Sequence, residues 1–158
     1  MQTIRNILVP VDFSEASTEA AHFAASLAQA YNARLNVLHV KEPFPVHGRI
    51  VAGSLEDVQK HHIHKEKSQL PRVIPSKLKN SIAIEEIQVT GMPVHRVIVE
   101  KARNLRVDVI VMASQDRKGL MRFFKKNIVE QVLHDAPCSV FVVRSPQNKD
   151  MSSNESDS

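Results

Sequence analysis

The sequence predicts one α/β domain built on a parallel sheet that is covered by helices on both faces. Three observations predict it: short apolar runs alternate with amphipathic helical segments, the hydrophobic residues are almost all aliphatic, and proline, glycine or helix-capping residues separate the segments. Aromatic residues make up 4% of the chain and tryptophan is absent, so the core must consist of valine, isoleucine, leucine and alanine. Strands of this composition are typical of buried parallel sheets. At 158 residues, the chain suits a single domain.

The first segments are a strand, a helix and a second strand. Residues 4–11 form an apolar run, and Ser14 follows it as a candidate N-cap, because its hydroxyl can accept a hydrogen bond from an amide of the first helical turn. Apolar residues at helical spacing then predict a helix that ends at Asn32. Residues 35–40 predict the second strand.

The middle of the chain is less regular. Residues 41–53 contain two prolines and a glycine and predict a loop, and a helical pattern that opens after Ser54 is broken by two further prolines. A third strand is predicted within residues 82–89. Its alternation slips by one between Ile84 and Ile87, which a bulge or a frayed start would each explain.

The last segments repeat the alternation. Gly91 and Pro93 mark a turn into a third helix, and residues 107–112 predict the most apolar strand. Asn127 is predicted to cap the final helix, with Glu130 three residues later completing a capping box. The last strand is predicted within residues 138–143.

The domain is expected to cover residues 1–145, and the polar tail at 146–158 is expected to be disordered. No secretory signal is evident, and no apolar stretch approaches the roughly 20 residues of a membrane span, so a cytoplasmic location is the expectation. Lysine and arginine exceed aspartate and glutamate by 21 to 17, an excess too mild to favour a nucleic-acid binder. The single cysteine excludes an internal disulfide.

Specific motifs lie at the ends of the predicted strands. They are ILVPVDFS at 7–14, LHV at 38–40, GMP at 91–93, DVIVMAS at 108–114, GL at 119–120 and VLHDAPCSV at 132–140. Together they resemble the universal stress protein family from about residue 4 to Arg144. The resemblance implies an open five-stranded parallel sheet ordered 3-2-1-4-5, Rossmann-like and similar to adenine nucleotide alpha hydrolases. It also implies a homodimer and a role in stress survival, usually without a defined reaction.

In such a sheet the ligand crevice lies beyond the carboxyl ends of the strands. The candidate nucleotide-crevice residues are therefore Pro10, Val11, Asp12, Val40, Met112, Ala113, Ser114, Asp116, Lys126 and Asn127.

The ATP-binding branch of the family has the signature Gly-x-x-Gly, nine residues, then Gly followed by Ser or Thr. These positions are occupied here by Ala113, Asp116, Lys126 and Asn127, and all four depart from the pattern. The methyl group of Ala113 occupies space where backbone should approach phosphate, and the charge of Asp116 would repel phosphate. Lys126 could fill the pocket or bind an anion. Asp12, which faces the nucleoside in that branch, is retained, but the signature as a whole is lost.

Other polar groups have simpler interpretations. The basic cluster within residues 117–126 could bind an anion, but a solvated loop is favoured, and the histidines at 61, 62 and 64 indicate a solvated helical face rather than a metal site. His39 is expected to be packed or hydrogen-bonded rather than a base. Asp12 and Ser14 are better explained as a ligand-facing carboxylate and a helix cap than as a base and a nucleophile.

The sequence therefore favours a non-enzymatic, dimeric stress-response or regulatory protein, with no catalytic or metal-binding residues and no cofactor. The alternative is an ATP- or AMP-binding protein with weak ATPase or switch activity in a modified crevice. The dimer is expected to form through strand 138–144, because an apolar sheet edge needs a cover. A regulatory protein partner stays open, nucleic-acid binding through residues 117–126 is a weaker third hypothesis, and no membrane association is expected.

Overall fold

Five parallel strands form the central sheet of the protein. A computed structural model describes residues 3–43, 45–46, 49–50, 73–114 and 126–144, with backbone alone at 45–46, 49–50 and 126–127. The strands of the sheet are β1 (Asn6–Pro10), β2 (Arg34–Lys41), β5 (Ile84–Thr90), β6 (Val109–Ser114) and β7 (Ser139–Arg144). They lie in the order β5-β2-β1-β6-β7, which confirms the expected order 3-2-1-4-5 for the strands of this sheet.

The connections contain the helices α1 (Glu15–Tyr31), α2 (Ser76–Lys79), α3 (Val94–Asn104) and α4 (Lys126–Asp135). Residues 41–53 are not wholly a loop as predicted, since β3 (Pro45–Val46) and β4 (Arg49–Ile50) pair in an antiparallel ladder. Two residues per strand are enough for a tight pairing but too few for an alternating pattern that the sequence would reveal.

The sheet carries one apolar core on each face, so the prediction of helices on both faces is confirmed. In β1, Ile7 and Val9 pack on the α1 side, whereas Leu8 packs on the opposite side with Ile98 of α3 and Val132 of α4. All five of these side chains are buried. This is the alternation expected when a parallel strand is covered on both faces.

The predicted ends of α1 are confirmed. Ser14 is the N-cap with φ −69° and ψ 158°, and its Oγ accepts a hydrogen bond of 3.2 Å from the Ser17 backbone N–H. Asn32 closes the helix in the left-handed region at φ 53°, where asparagine is tolerated better than most residues.

The third strand of the sheet contains no bulge. β5 pairs with β2 residue for residue from Leu35 and Ile84 to Lys41 and Thr90. The alternation slips because Ile84 packs on the α1 side and Ile87 on the α3 side, so the two isoleucines belong to different cores.

α4 begins before its predicted cap. Lys126 is already helical, so Asn127 lies in the first turn rather than at the N-cap. Helix ends assigned by residue type and by backbone hydrogen bonds commonly differ by one or two residues. The predicted helix after Ser54 and the predicted disordered tail at 146–158 lie outside the described residues.

A polar network lies at the amino ends of the strands. Asn36 of β2 is fully buried, and its Nδ2 donates to Asn6 Oδ1 at 2.6 Å and to the Ile7 carbonyl at 2.8 Å. Asn6 in turn donates through its Nδ2 to the Leu105 carbonyl at 2.6 Å. Asp108 Oδ2 accepts from the backbone N–H groups of Arg5 and Asn6 at 2.8 and 2.9 Å. These bonds fix β1 against its neighbours at the end of the sheet opposite the crevice.

Candidate functional site

The candidate site lies beyond the carboxyl end of β1, where the strand order reverses. β1 is the central strand, with β2 on one side and β6 on the other. Pro10 pairs with Leu38, and Leu8 pairs with Ile110. Counting two residues on from the first pair places Val40 of β2 at the level of Asp12, and counting four on from the second places Ser114 of β6 there. The fold therefore brings together the candidate residues on these three strands.

The turn from β1 into α1 is bonded to β2 through both backbone groups of Val11. Its N–H donates to the Leu38 carbonyl at 2.8 Å, which extends the sheet one residue beyond β1. Its carbonyl lies 2.9 Å from Nδ1 of His39, which is buried. The expectation that His39 is packed and hydrogen-bonded is confirmed.

Asp12 is the next residue, and both its backbone and its carboxylate are held. Its N–H donates to Ser17 Oγ at 3.3 Å. Its Oδ1 accepts from the Ser14 N–H at 3.1 Å and from Ser14 Oγ at 2.5 Å. Because Ser14 Oγ also accepts from the Ser17 N–H, the hydroxyl joins the carboxylate to the start of the helix. An aspartate at a helix N-terminus is further favoured by the helix dipole.

Phe13 completes the turn in an unusual backbone conformation. Its φ is 63°, in the left-handed region where a bulky residue costs roughly 1–3 kcal/mol. Its ring packs on the core of the α1 side and lies against the His39 ring, with centroids 4.5 Å apart and planes inclined by 43°. These contacts offset the backbone strain and turn the chain sharply into α1.

At the end of β6, the side chain of Ala113 covers backbone that a glycine would leave exposed. Met112 is buried, and Ala113 and Ser114 are half-buried. The methyl group of Ala113 packs against the core on the α1 side. A glycine at this position would remove that contact and expose the backbone, which is the feature a phosphate-binding turn requires.

The structure describes little of the remaining candidate positions. Asp116 and the basic cluster at 117–125 lie outside the described residues, and so do the histidines at 61, 62 and 64. For Lys126 and Asn127 the structure gives only their place in the first turn of α4. Within the described ranges, no group of three or more His, Cys, Asp or Glu side chains could hold a metal ion.

Cys138 lies just before β7, away from the crevice. Burial raises the pKa of its thiol, and the nearby charge of Asp108 raises that pKa further. A thiol with a raised pKa carries little thiolate at neutral pH and reacts slowly.

Two contributors to the site were missed by the sequence analysis. Ser17 accepts from Asp12, and Phe13 holds the left-handed turn. Ser17 lies one helical turn after the cap, and that spacing is a weak signal for a capping network. The conformation of Phe13 has no signal in the sequence, because a phenylalanine in the left-handed region contradicts its local preference.

The comparisons with known proteins agree with one another. A family model described as the universal stress protein family matches residues 3–144. A universal stress protein of Methanocaldococcus jannaschii is 28% identical over 145 residues, covering 92% of this chain and 85% of that protein. Universal stress protein A homolog 1 of Coxiella burnetii is 30% identical over 146 residues, covering 88% of this chain and 95% of that protein.

Solved structures show the same fold. The universal stress protein UspA from Lactobacillus plantarum matches with a TM-score of 0.71 and 24% identity, covering 91% of this chain and all of that one. A universal stress protein from Archaeoglobus fulgidus in complex with dAMP matches with a TM-score of 0.60 and 22% identity, over 89% of this chain and 98% of that one. A universal stress protein in complex with cAMP matches with a TM-score of 0.62 and 18% identity, over 92% of this chain and all of that one. At these identities the likeness establishes the fold alone.

Proposed function

Because the chain belongs to the universal stress protein family, we propose that it is a non-enzymatic stress-response protein that acts by binding. The observation that carries this proposal is the hydrogen bonding of Asp12 and Ser14 at the start of α1. In a catalytic pair the hydroxyl donates to its base, as Ser14 Oγ does to Asp12, but its oxygen must also be directed at substrate. Here that oxygen accepts from the Ser17 N–H as the cap of α1. The pair stabilises a turn, and its geometry suits presentation of a carboxylate rather than covalent catalysis.

A second proposal concerns the ligand: a nucleoside monophosphate such as AMP, bound more tightly than ATP. The described part of the crevice favours the nucleoside end of such a ligand, since Asp12 offers carboxylate oxygens to ribose hydroxyls. The phosphate end is altered, because Ala113 fills the space of a glycine and its methyl group is packed. Two proteins of the same fold were solved with dAMP and with cAMP, each of which carries a single phosphate.

Calorimetry with AMP, ADP and ATP tests the ligand proposal. We expect saturable binding that is tightest for AMP, and no phosphate release when ATP is incubated with the protein. Asp12→Asn keeps an oxygen to accept from Ser14 but removes the charge, so we expect AMP affinity to fall by roughly 10-fold or more. Glu15→Ala removes a neighbouring carboxylate on the exposed side of α1 and is the matched control. Equal affinity for AMP in the Asp12→Asn variant, or ATP turnover by the wild type, would contradict the proposals.

A third proposal is homodimerisation through β7. This strand is an edge of the sheet, and Phe141 and Val142, which point to opposite faces, are 41% and 42% exposed. An edge strand that is apolar on both faces invites pairing, and a second copy of the same strand is the simplest partner. A regulatory protein with an apolar edge of its own is the other partner that this surface suits.

Sedimentation velocity at micromolar concentration tests the dimer. We expect the wild type to sediment as a dimer and Val142→Lys to sediment as a monomer, because a charge at the edge opposes pairing. Met92→Lys changes another exposed apolar side chain, at the end of β5 on the opposite edge of the sheet, and should leave the dimer intact. A monomeric wild type would overturn this proposal without affecting the ligand proposal.

In the described part of the chain, no helix has the length and apolar character needed to cross a membrane.

A further inference from the structure

The buried side chain of His39 contacts both residues that flank Asp12. Its Nδ1 lies 2.9 Å from the Val11 carbonyl, and its ring lies against the Phe13 ring at a centroid distance of 4.5 Å. His39 is 28 residues from Val11 in the chain, and the pairing of β2 with β1 brings the two together. One side chain therefore holds the turn immediately before and immediately after the candidate ligand-binding carboxylate.

The contact with Val11 determines which ring nitrogen carries a hydrogen. A carbonyl oxygen only accepts hydrogen bonds, so Nδ1 must be the donor. The geometry therefore assigns a hydrogen to Nδ1. Since His39 is only 9% exposed, water competes little for this bond.

The contact with Phe13 opposes a backbone strain. At φ 63° this residue adopts a conformation that a side chain of its size rarely takes without support from its surroundings. Relaxation of Phe13 to an ordinary conformation would rotate the peptide units on either side of it and move Asp12 relative to Ser14. The packing of Phe13 on His39 and on the core prevents that rotation.

We propose that His39 is a positioning residue of the crevice, which sets the direction of the Asp12 carboxylate by holding Val11 and Phe13. This inference rests on the proposal that Asp12 contacts a nucleotide. It differs from a purely structural role because the contacts of His39 converge on the turn, whereas Val37, which is buried two residues earlier on the same face of β2, packs only within the core.

Two substitutions separate the contacts. His39→Phe keeps a ring to pack on Phe13 but removes the donor to Val11. His39→Asn replaces Nδ1 by an amide nitrogen at a similar distance from the backbone and restores the donor. We expect His39→Phe to weaken AMP binding by roughly 10-fold, the loss expected if the turn holds Asp12 in the binding direction only about a tenth of the time. His39→Asn should recover part of that loss. Val37→Ala is the control: it should lower stability and leave AMP affinity within about twofold of the wild type.

Two measurements decide the inference even if the wild type binds no AMP. Nitrogen-15 NMR of the wild-type ring should show the hydrogen on Nδ1 of His39. Amide hydrogen exchange at Asp12 and Ser14 should accelerate in His39→Phe, relative to the exchange of core amides, but not in Val37→Ala. Absence of a hydrogen on Nδ1, or unchanged exchange at the turn in His39→Phe, would overturn the positioning role. Absence of AMP binding with the expected exchange pattern would instead overturn the ligand proposal and keep the role of His39 in holding Asp12.

Discussion

Asn36→Asp should destabilise the protein by about 3 kcal/mol or more at pH 7, because it places a charge where nothing can solvate it. Asn36 is fully buried, and its Nδ2 donates to Asn6 Oδ1 and to the Ile7 carbonyl. An aspartate would turn that donor into a second acceptor, so that a carboxylate oxygen would face two other oxygens at hydrogen-bonding distance. In the wild type, Oδ1 of Asn36 is also buried and has no hydrogen-bond partner in the described structure, so no donor is available there for a second carboxylate oxygen.

The stability lost in Asn36→Asp should increase as the pH rises. Burial and the two facing oxygens raise the pKa of the introduced carboxyl in the folded state above the ordinary value of about 3.9. Below about pH 3.9 the carboxyl is protonated in both the folded and the unfolded state, and its hydroxyl could donate to one of the facing oxygens. As the pH rises further, the stability relative to the wild type should fall by up to about 1.4 kcal/mol per pH unit, until the folded-state pKa is reached.

Urea unfolding of wild type and variant at several pH values measures this loss. Asn80→Asp makes the same chemical change at an exposed position after α2 and should stay within about 0.5 kcal/mol of the wild type. If Asn36→Asp were no less stable than Asn80→Asp at pH 7, the burial and bonding of Asn36 described above would be wrong.

Ala24→Leu should destabilise the protein by about 2 kcal/mol, because α1 lies against the sheet with no space for a larger side chain. Five alanines of this helix are fully buried against β1 and β6: Ala20, Ala21, Ala24, Ala25 and Ala28. Small side chains let the helix approach the sheet closely. Leucine would force the helix away or push neighbouring side chains out of their preferred rotamers.

The same substitution at Ala30 provides the control. Ala30 lies in the same helix but is exposed, so Ala30→Leu makes the same chemical change without the crowding. Thermal or urea unfolding should place Ala30→Leu within about 0.5 kcal/mol of the wild type. Equal stability of the two variants would show that α1 does not pack on the sheet through Ala24.

Local patterns were sufficient to predict most elements of the fold. Apolar runs located the strands, and capping chemistry located both ends of α1 at Ser14 and Asn32, because a cap is satisfied by residues within one helical turn. The family resemblance supplied the strand order, which the structure confirms. Periodicity failed at β5, where Ile84 and Ile87 face different cores, and at the ladder of β3 and β4, which is too short to show a pattern.

The crevice shows where local information ends. The sequence by itself determined which residues follow β1, that Asp12 is retained and that Ala113 stands where the ATP-binding signature has glycine. Only the tertiary structure decided how the residues on either side of Asp12 are held. His39, 28 residues from Val11, bonds the Val11 carbonyl and packs against Phe13, which is held in a conformation it does not prefer. Strand pairing brings His39 to the turn, and the packing of Phe13 there offsets the strain of its backbone. A pattern within one segment of the sequence cannot show a contact with another segment.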